Sequence, residues 1–199
     1  MFKSLFVIAL PIILQNLMQS TVNMLDTLMV GQLGSVEIAA VGLGNQIYML
    51  LNMVLFGISS GGAIFIAQFW GKKENSGIWK MEGVMFSFSI VIALIFTFAS
   101  VFFPKFLIGL YSKDFNVIEI GARYLRIVAF SFPFFAMSFA FSMALRSTEH
   151  VKLPMVATMI SLVLNAILNY LLIFGIGFFP SLGIVGAAIA TCISRIVEC

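Results

Sequence analysis

This 199-residue sequence has few charged residues, since only 10% of its residues are Asp, Glu, Lys or Arg. A soluble domain carries about 25% charged residues, and this chain has too few to cover a surface that faces water. The scarcity excludes a soluble enzyme, a nucleic-acid binder and a disordered chain. Apolar residues take their place, with 61% hydrophobic residues and a mean hydropathy of +1.11. The sequence therefore predicts an integral membrane protein that contacts lipid and no nucleic acid.

Cysteine, histidine and buried carboxylates are also scarce, and this limits the chemistry open to the chain. Cys192 and Cys199 lie in the last apolar segment without metal-ligand spacing, and the single histidine, His150, lies in a loop. These counts exclude a disulfide framework and a histidine-based metal site. A serine nucleophile would lack a positioned base, and an intramembrane aspartyl protease needs two carboxylates where only Asp26 qualifies. We expect no enzyme, no organic cofactor and no metal beyond a possible Na⁺.

The apolar residues fall into six long segments separated by short polar or Gly/Pro connections. Long unbroken apolar segments predict membrane-spanning helices, and together they predict an all-α bundle of six transmembrane helices in one domain, residues 1–199. The sixth segment would extend only about 24 Å, short of a hydrocarbon core of about 30 Å, so we expect the chain to be truncated inside that helix. The segments cover approximately residues 4–30, 36–70, 78–103, 117–145, 154–174 and 184–199.

The distribution of basic residues predicts the orientation in the membrane. Cytoplasmic loops carry an excess of Lys and Arg, and the tighter cluster of basic residues lies in alternate connections. The N-terminus and those connections are therefore predicted to be cytoplasmic. This cluster comprises Lys3, Lys72, Lys73, Lys80, Arg146 and Lys152, and the opposite set comprises Lys105, Lys113, Arg123 and Arg126.

The first segment carries a stripe of polar side chains. Gln15, Gln19, Asn23 and Asp26 are spaced by 4, 4 and 3 residues, which places them within about 80° of one another on a helix. Such a stripe must face protein or water, and Asp26 is the carboxylate deepest in an apolar segment, so it is a candidate carrier of a proton or cation. The alternative is an interfacial aspartate that extends outward near the helix end. Pro11 either kinks the same helix or has little effect near the interface.

Polar side chains also line one face of three later segments. Asn165 and Asn169 stand at i and i+4, and they suggest either oxygen ligands or a hydrogen bond between helices. Thr191 could add a hydroxyl, unless it bonds its own helix backbone. Asn45 and Asn52 share a face of the second segment. The candidate substrate path therefore comprises Gln15, Gln19, Asn23, Asn45 and Asn52.

Several runs of the sequence, taken in order, form a recognisable pattern that covers nearly the whole chain. They lie at the start and end of the first helix, at the end of the second, in the loop after the fourth, and in the fifth and sixth. The runs are residues 9–15, 26–34, 67–71, 146–148 with 152–155, 164–169 and 183–191. Together they resemble the multidrug and toxic compound extrusion (MATE) family.

The resemblance implies a function and a partner. Members are secondary antiporters with two six-helix bundles, which export organic cations and other toxic compounds in exchange for H⁺ or Na⁺. This chain would be the N-terminal bundle in the cell (inner or plasma) membrane, and the C-terminal bundle would be its partner. The family pattern assigns Asp26, Asn165, Asn169 and Thr191 to the coupling-ion site, and Pro11 to bending of the first helix.

One departure from the family pattern bears on the coupling ion, and two alternative functions compete with the antiporter hypothesis. Many relatives have a second carboxylate where Asn169 stands, so the site would hold one charge, which leaves H⁺ and Na⁺ both open. A lipid-linked oligosaccharide flippase of the same superfamily would line its cavity with Arg and Lys, whereas the deep charge here is acidic and favours a cationic or amphipathic small molecule. A non-transporting six-helix scaffold would not need Asp26 or the polar stripes.

Overall fold

The computed structural model describes residues 2–176 and 180–199, and it describes side chains in residues 13–176 and 180–199. This part of the chain folds into helices without any strand. The long apolar runs form helices because a helix satisfies every backbone polar group within its own segment. The helices are α1 (Phe2–Gly31), α2 (Ser35–Gly71), α3 (Asn75–Phe102), α4 (Pro104–Gly109), α5 (Phe115–Val128), α6 (Phe132–Ser147), α7 (Lys152–Phe174) and α8 (Ile184–Glu198).

Each of the six predicted segments coincides with a helix or with a continuous helical run. Among the described residues, four runs are long and apolar enough to cross a membrane, namely α2, α3, the run Phe115–Ser147 and α7. The other two segments form α1, whose described part carries the polar stripe, and α8, which has 15 residues. The fold is the predicted all-α bundle of a polytopic membrane protein. The short helix α4 was not predicted; it begins at Pro104, a residue that favours the first turn of a helix.

The fourth segment is helical throughout but changes its hydrogen bonding in the middle. A 3₁₀ turn, Ala129–Ser131, joins α5 to α6 just before Pro133, which has no N–H to donate. The carbonyl of Ala129 accepts instead from the N–H of Phe132 and lies 3.1 Å from the Thr97 hydroxyl of α3. Proline is tolerated here because a neighbouring helix and the tighter turn replace the missing bond.

The connections alternate between the two ends of the bundle. The rings of Trp70 and His150 are 5.8 Å apart, which brings the α2–α3 and α6–α7 connections to one end. At the opposite end Val30, Ile173 and Ala187 pack in one apolar cluster, near the α1–α2 and α7–α8 connections. The chain therefore crosses the bundle in alternating directions.

The apolar core lies between α2, α3, α5 and α6. Leu51, Leu55, Ala93, Leu125 and Phe132 are all fully buried in it. The outer surface is apolar as well, as expected for helices that face lipid. Polar side chains instead gather on the inner faces of α1, α2, α7 and α8, where they border a cavity.

α8 packs very closely on α7 because its contact face is built from small residues. A Cβ atom placed on Gly186 would lie 2.6 Å from the carbonyl oxygen of Leu172. The Ser161 hydroxyl donates to the Ser194 carbonyl at 2.8 Å, so the two helices touch at both ends of the contact. Small residues at helix interfaces allow backbones to approach in this way.

Candidate functional site

A polar cavity of about 630 Å³ lies between α1, α2, α5, α6, α7 and α8. Pro11 lies in residues 1–12, whose side chains are outside the described residues, so its role in a kink stays a prediction. The remaining sequence-predicted site residues all line this one cavity. They are Gln15, Gln19, Asn23, Asp26, Asn45, Asn52, Asn165, Asn169 and Thr191.

The carboxylate of Asp26 is turned toward α7. The amide nitrogen of Asn169 donates to Asp26 Oδ1 at 2.6 Å and to Asn165 Oδ1 at 3.2 Å. We call Asp26, Asn165 and Asn169 the Asp26 cluster. Its half-buried aspartate faces a neighbouring helix and does not extend outward from the bundle, in contrast to the interfacial alternative.

The Asp26 cluster is rich in oxygen atoms. Asn169 is 1% exposed, and its amide oxygen is buried without a hydrogen-bond partner in the described part of the chain. Thr191 lines the same cavity, but its hydroxyl donates to Ala187 O of its own helix at 3.0 Å. A buried acceptor without a partner is energetically costly, and carboxylate and amide oxygens are the atoms that hard cations prefer as ligands.

A second group of side chains, here called the Arg195 network, lies further along the cavity. Gln15 Nε2 donates to Thr158 Oγ1 at 2.8 Å, and Thr158 Oγ1 donates to Glu198 Oε1 at 2.9 Å. Arg195 donates to Glu198 Oε2 at 2.6 Å and to the Tyr48 hydroxyl at 3.1 Å. The network joins α1, α2, α7 and α8 at one depth of the bundle.

Arg146 extends the Arg195 network to α6. Its Nη2 atom donates to Gln15 Oε1 at 2.8 Å. The Arg195 guanidinium also lies 5.2 Å from the centre of the Phe135 ring and 5.7 Å from that of Tyr48. Aromatic faces at such distances stabilise a cation that has left bulk water.

The two groups lie at different depths along α1. Gln15 bonds Thr158 and Asp26 bonds Asn169, with the same sequence offset of 143 in both pairs. The equal offset means that α1 and α7 run in the same direction. Gln15 and Asp26 are eleven residues apart, which corresponds to about 16 Å along the helix axis.

The basic side chains of the cavity were not predicted from the sequence. The deep charge was expected to be acidic, whereas Arg146, Arg195 and Glu198 also line the cavity. The signal that could have found them is the one that identified Asp26, namely an ionisable residue inside an apolar segment. Such residues mark functional sites by default. Arg195 and Glu198 stand at i and i+3 in the last apolar segment, where one turn of helix pairs them.

Two more predicted path residues interact with each other. The amide nitrogen of Gln19 donates to Asn23 Oδ1 at 3.2 Å. Asn45 and Asn52 of α2 line the same cavity. The polar stripes of α1 and α2 therefore border one space. Among the described residues there is no group of three His, Cys, Asp or Glu side chains that could hold a metal ion.

A bundle of membrane helices with ionisable side chains turned into a shared cavity is the architecture of a membrane transport protein. The comparison with protein families agrees with this class. The MatE family model matches residues 11–171, and the chain belongs to the MatE family.

The chain is similar to curated proteins of bacterial origin. Probable multidrug resistance protein YoeA of Bacillus subtilis is 32% identical over 196 residues, covering 98% of this chain and 42% of that protein. Probable multidrug resistance protein NorM of Thermotoga maritima is 31% identical over 196 residues, with the same two coverages, 98% and 42%. The chain therefore spans less than half the length of the curated relatives it matches.

Solved structures share the fold over nearly the whole chain. A transporter of the MOP superfamily from Pyrococcus furiosus is 23% identical, with a TM-score of 0.88 over 98% of this chain and 42% of its own. The MATE transporter VcmN of Vibrio cholerae, in its bent form, is 26% identical, with a TM-score of 0.83 over 98% of this chain and 44% of its own. In both proteins the matched part is less than half of the structure.

Proposed function

We propose that this chain forms one half of a secondary antiporter that exports organic cations, drugs or other toxic compounds in exchange for H⁺ or Na⁺. The observation that carries the proposal is the Asp26 carboxylate, which lies beside two amide side chains of α7 in a polar cavity. Membership of the MatE family and similarity to proteins named as multidrug resistance proteins support the same activity.

In the proposed mechanism, the coupling ion and the substrate compete for the cavity. A cation at Asp26 would replace or share the 2.6 Å hydrogen bond from Asn169, and the buried amide oxygen of Asn169 is available as a further ligand. A proton on Asp26 would neutralise the same charge. Either ion removes the negative charge that attracts a cationic substrate, so ion and substrate would favour different states of the transporter.

The proposed partner of this chain is a second six-helix half. The polar walls of the cavity would be costly to expose to lipid, because no water is present to bond them. The curated relatives extend well beyond the matched region, which supports the presence of such a half in the complete transporter. This half expressed alone should give no drug resistance, and co-expression of the other half should restore part of it.

Two alternatives are less well supported. An oligosaccharide flippase would be favoured by a basic cavity, but among the described side chains Asp26 and Glu198 balance Arg146 and Arg195, so the cavity has no basic excess. The relatives named above carry the name probable multidrug resistance protein. A scaffold without transport would have no reason to keep Asp26 in a shared cavity.

The proposal is tested by replacing Asp26 in the full-length transporter. Asp26→Asn keeps the shape of the side chain but removes its charge, so ion-driven drug efflux from proteoliposomes should fall to the level of empty liposomes. Asn165→Ala should cause a smaller loss, because it removes a neutral ligand. Asn169→Asp should alter the dependence on pH or Na⁺, because two nearby carboxylates in this environment do not both ionise easily.

A matched control is available in Asp114→Asn. Asp114 lies outside the cavity and caps α5 through a bond from the Asn116 N–H, and asparagine caps a helix equally well. Drug efflux by the Asp114→Asn variant should equal that of the unmodified protein. Normal efflux by Asp26→Asn under both imposed H⁺ and Na⁺ gradients would contradict the assignment of Asp26 to the coupling site.

A further inference from the structure

Four charged side chains of the described residues line the cavity, and only two of them form an ion pair with each other. Arg195 and Glu198 are joined at 2.6 Å, which is the single salt bridge among the described residues. The two others are Asp26, in the Asp26 cluster, and Arg146, beside Gln15. Because the Arg195–Glu198 pair is neutral as a unit, the described part of this chain leaves one uncompensated charge of each sign in the cavity.

Arg146 has no acidic partner among the described residues of this chain. The nearest acidic residue in sequence, Glu149, does not approach within 4 Å of it, and none of the other described carboxylates does so either. The side chains outside the described residues include no Asp or Glu, so none of them can neutralise it. Its one side-chain hydrogen bond among the described residues uses Nη2, toward Gln15. The other guanidinium N–H groups of this half-buried, cavity-lining side chain therefore have no partner there.

The two uncompensated charges lie far apart. Arg146 is held at the level of Gln15, and Asp26 lies eleven residues further along α1, about 16 Å away along the axis. A guanidinium offers a planar set of donors that suits the oxygens of a carboxylate or phosphate. A carboxylate at the other end suits an ammonium group.

We infer that the cavity contains an oxyanion subsite at Arg146, opposite the cation subsite at Asp26, and that the substrates it fits best are elongated zwitterionic amphiphiles. The ammonium group of such a molecule would lie at Asp26 and its carboxylate or phosphate at Arg146. The inference rests on the proposed function, because it takes the cavity to be the substrate path.

The test compares two probes that differ in one charge. A long-chain trimethylammonium alkanoate carries a positive and a negative end, whereas its methyl ester keeps only the positive end. Binding of each radiolabelled probe would be measured to the full-length transporter in a maltoside detergent, so that no lipid phosphate competes. The unmodified protein should bind the alkanoate more tightly than the ester.

Arg146→Gln should weaken binding of the alkanoate by about tenfold, as expected for the loss of one charge-assisted contact, and should leave ester binding unchanged. Arg146→Lys should retain part of the preference for the alkanoate over the ester because it keeps the positive charge. Gln15→Met should also retain this preference, since it removes the hydrogen bonds of Gln15 to Arg146 and Thr158 but keeps the charge of Arg146. The matched control is Arg123→Gln, an exposed arginine outside the cavity, which should alter neither probe.

The outcomes separate this inference from the proposed function. If Arg146→Gln weakened the binding of both probes equally, Arg146 would only support the structure. If it changed the binding of neither probe, Arg146 would contact no ligand. Either result would overturn the inference. Loss of the Arg146 effect on addition of phosphatidylglycerol would assign the subsite to lipid headgroups and would also overturn it. A selective Arg146 effect together with normal ester binding and efflux by Asp26→Asn would overturn both the proposed coupling site and the placement of the ammonium group at Asp26. It would leave the oxyanion subsite at Arg146 standing.

Discussion

At the scale of single residues, the cavity contains a charged pair in an environment that disfavours isolated charges. Arg195 and Glu198 have side chains that are 16% and 10% exposed. Each is also bound by neutral groups, with the Tyr48 hydroxyl on the arginine and the Thr158 hydroxyl on the glutamate. A pair of this kind is retained because removing one partner leaves the other charge without compensation.

We expect Glu198→Gln to lower the free energy of unfolding by roughly 2–3 kcal/mol, somewhat less than for a fully buried pair because water still reaches both side chains. The variant keeps an acceptor for Thr158 but leaves Arg195 without an anion. The double variant Arg195→Gln with Glu198→Gln should be more stable than Glu198→Gln alone. Denaturant titration of the full-length protein in micelles would measure all three.

Glu119→Gln serves as the control for this prediction, because Glu119 is exposed on α5 and forms no salt bridge. Its stability should be close to that of the unmodified protein. If the double variant were less stable than Glu198→Gln, the charge of Arg195 would not be the source of the loss.

At the scale of helices, the position of α8 depends on small residues. Gly186, Ala187, Ala188 and Ala190 are all buried in this short helix. Association of membrane helices relies on close packing, because lipid is as apolar as the side chains. This packing places Arg195 and Glu198 against the cavity, so the geometry of the site depends on the approach of α8 to α7.

Gly186→Ala should therefore destabilise the protein. The new methyl group would meet the backbone of Leu172 at 2.6 Å, and a backbone atom cannot rotate away as a side chain can. Overpacking of this kind costs about 1–3 kcal/mol. Gly57→Ala is the matched control, because a Cβ there has nothing within 4 Å.

Thermal unfolding of the two glycine variants in detergent would measure the difference. The Gly57 variant should be as stable as the unmodified protein or slightly more so, since alanine favours a helix more than glycine does. Similar melting temperatures for the two variants would mean that α7 and α8 can separate without cost.

At the scale of the whole molecule, the connections with the tighter cluster of basic residues lie at one end of the bundle. The α2–α3 connection carries Lys72 and Lys73, and it lies beside the α6–α7 connection through the contact of Trp70 with His150. Basic residues of short loops favour the cytoplasmic side. The N-terminus, one crossing before the α1–α2 turn, is expected on that same side.

Labelling of single cysteines in whole cells would measure this orientation. With Cys192 and Cys199 replaced by serine, Asn75→Cys should not react with an impermeant maleimide added from outside. Asn116→Cys, at the start of α5 and at the opposite end of the bundle, should react. The reverse pattern would place the N-terminus outside the cell.

The sequence alone determined the long helical runs of this protein, but not the short helix α4, and it determined most of the polar residues of the site. Six apolar segments predicted the helical runs because the membrane leaves a chain almost no other way to satisfy its backbone. The spacing of Gln15, Gln19, Asn23 and Asp26 predicted one polar face, and the structure turns that face toward the cavity. Helical periodicity carries this information because it is local.

Only the tertiary structure decided which of these residues meet. Asp26 and Asn169 are 143 positions apart in sequence, and their 2.6 Å contact depends on the parallel approach of α1 to α7. Arg195 and Glu198 belong to the cavity because the small residues of α8 allow it to pack closely on α7. The partner of a buried charge is set by the packing of separate helices, and local periodicity contains no information about that packing.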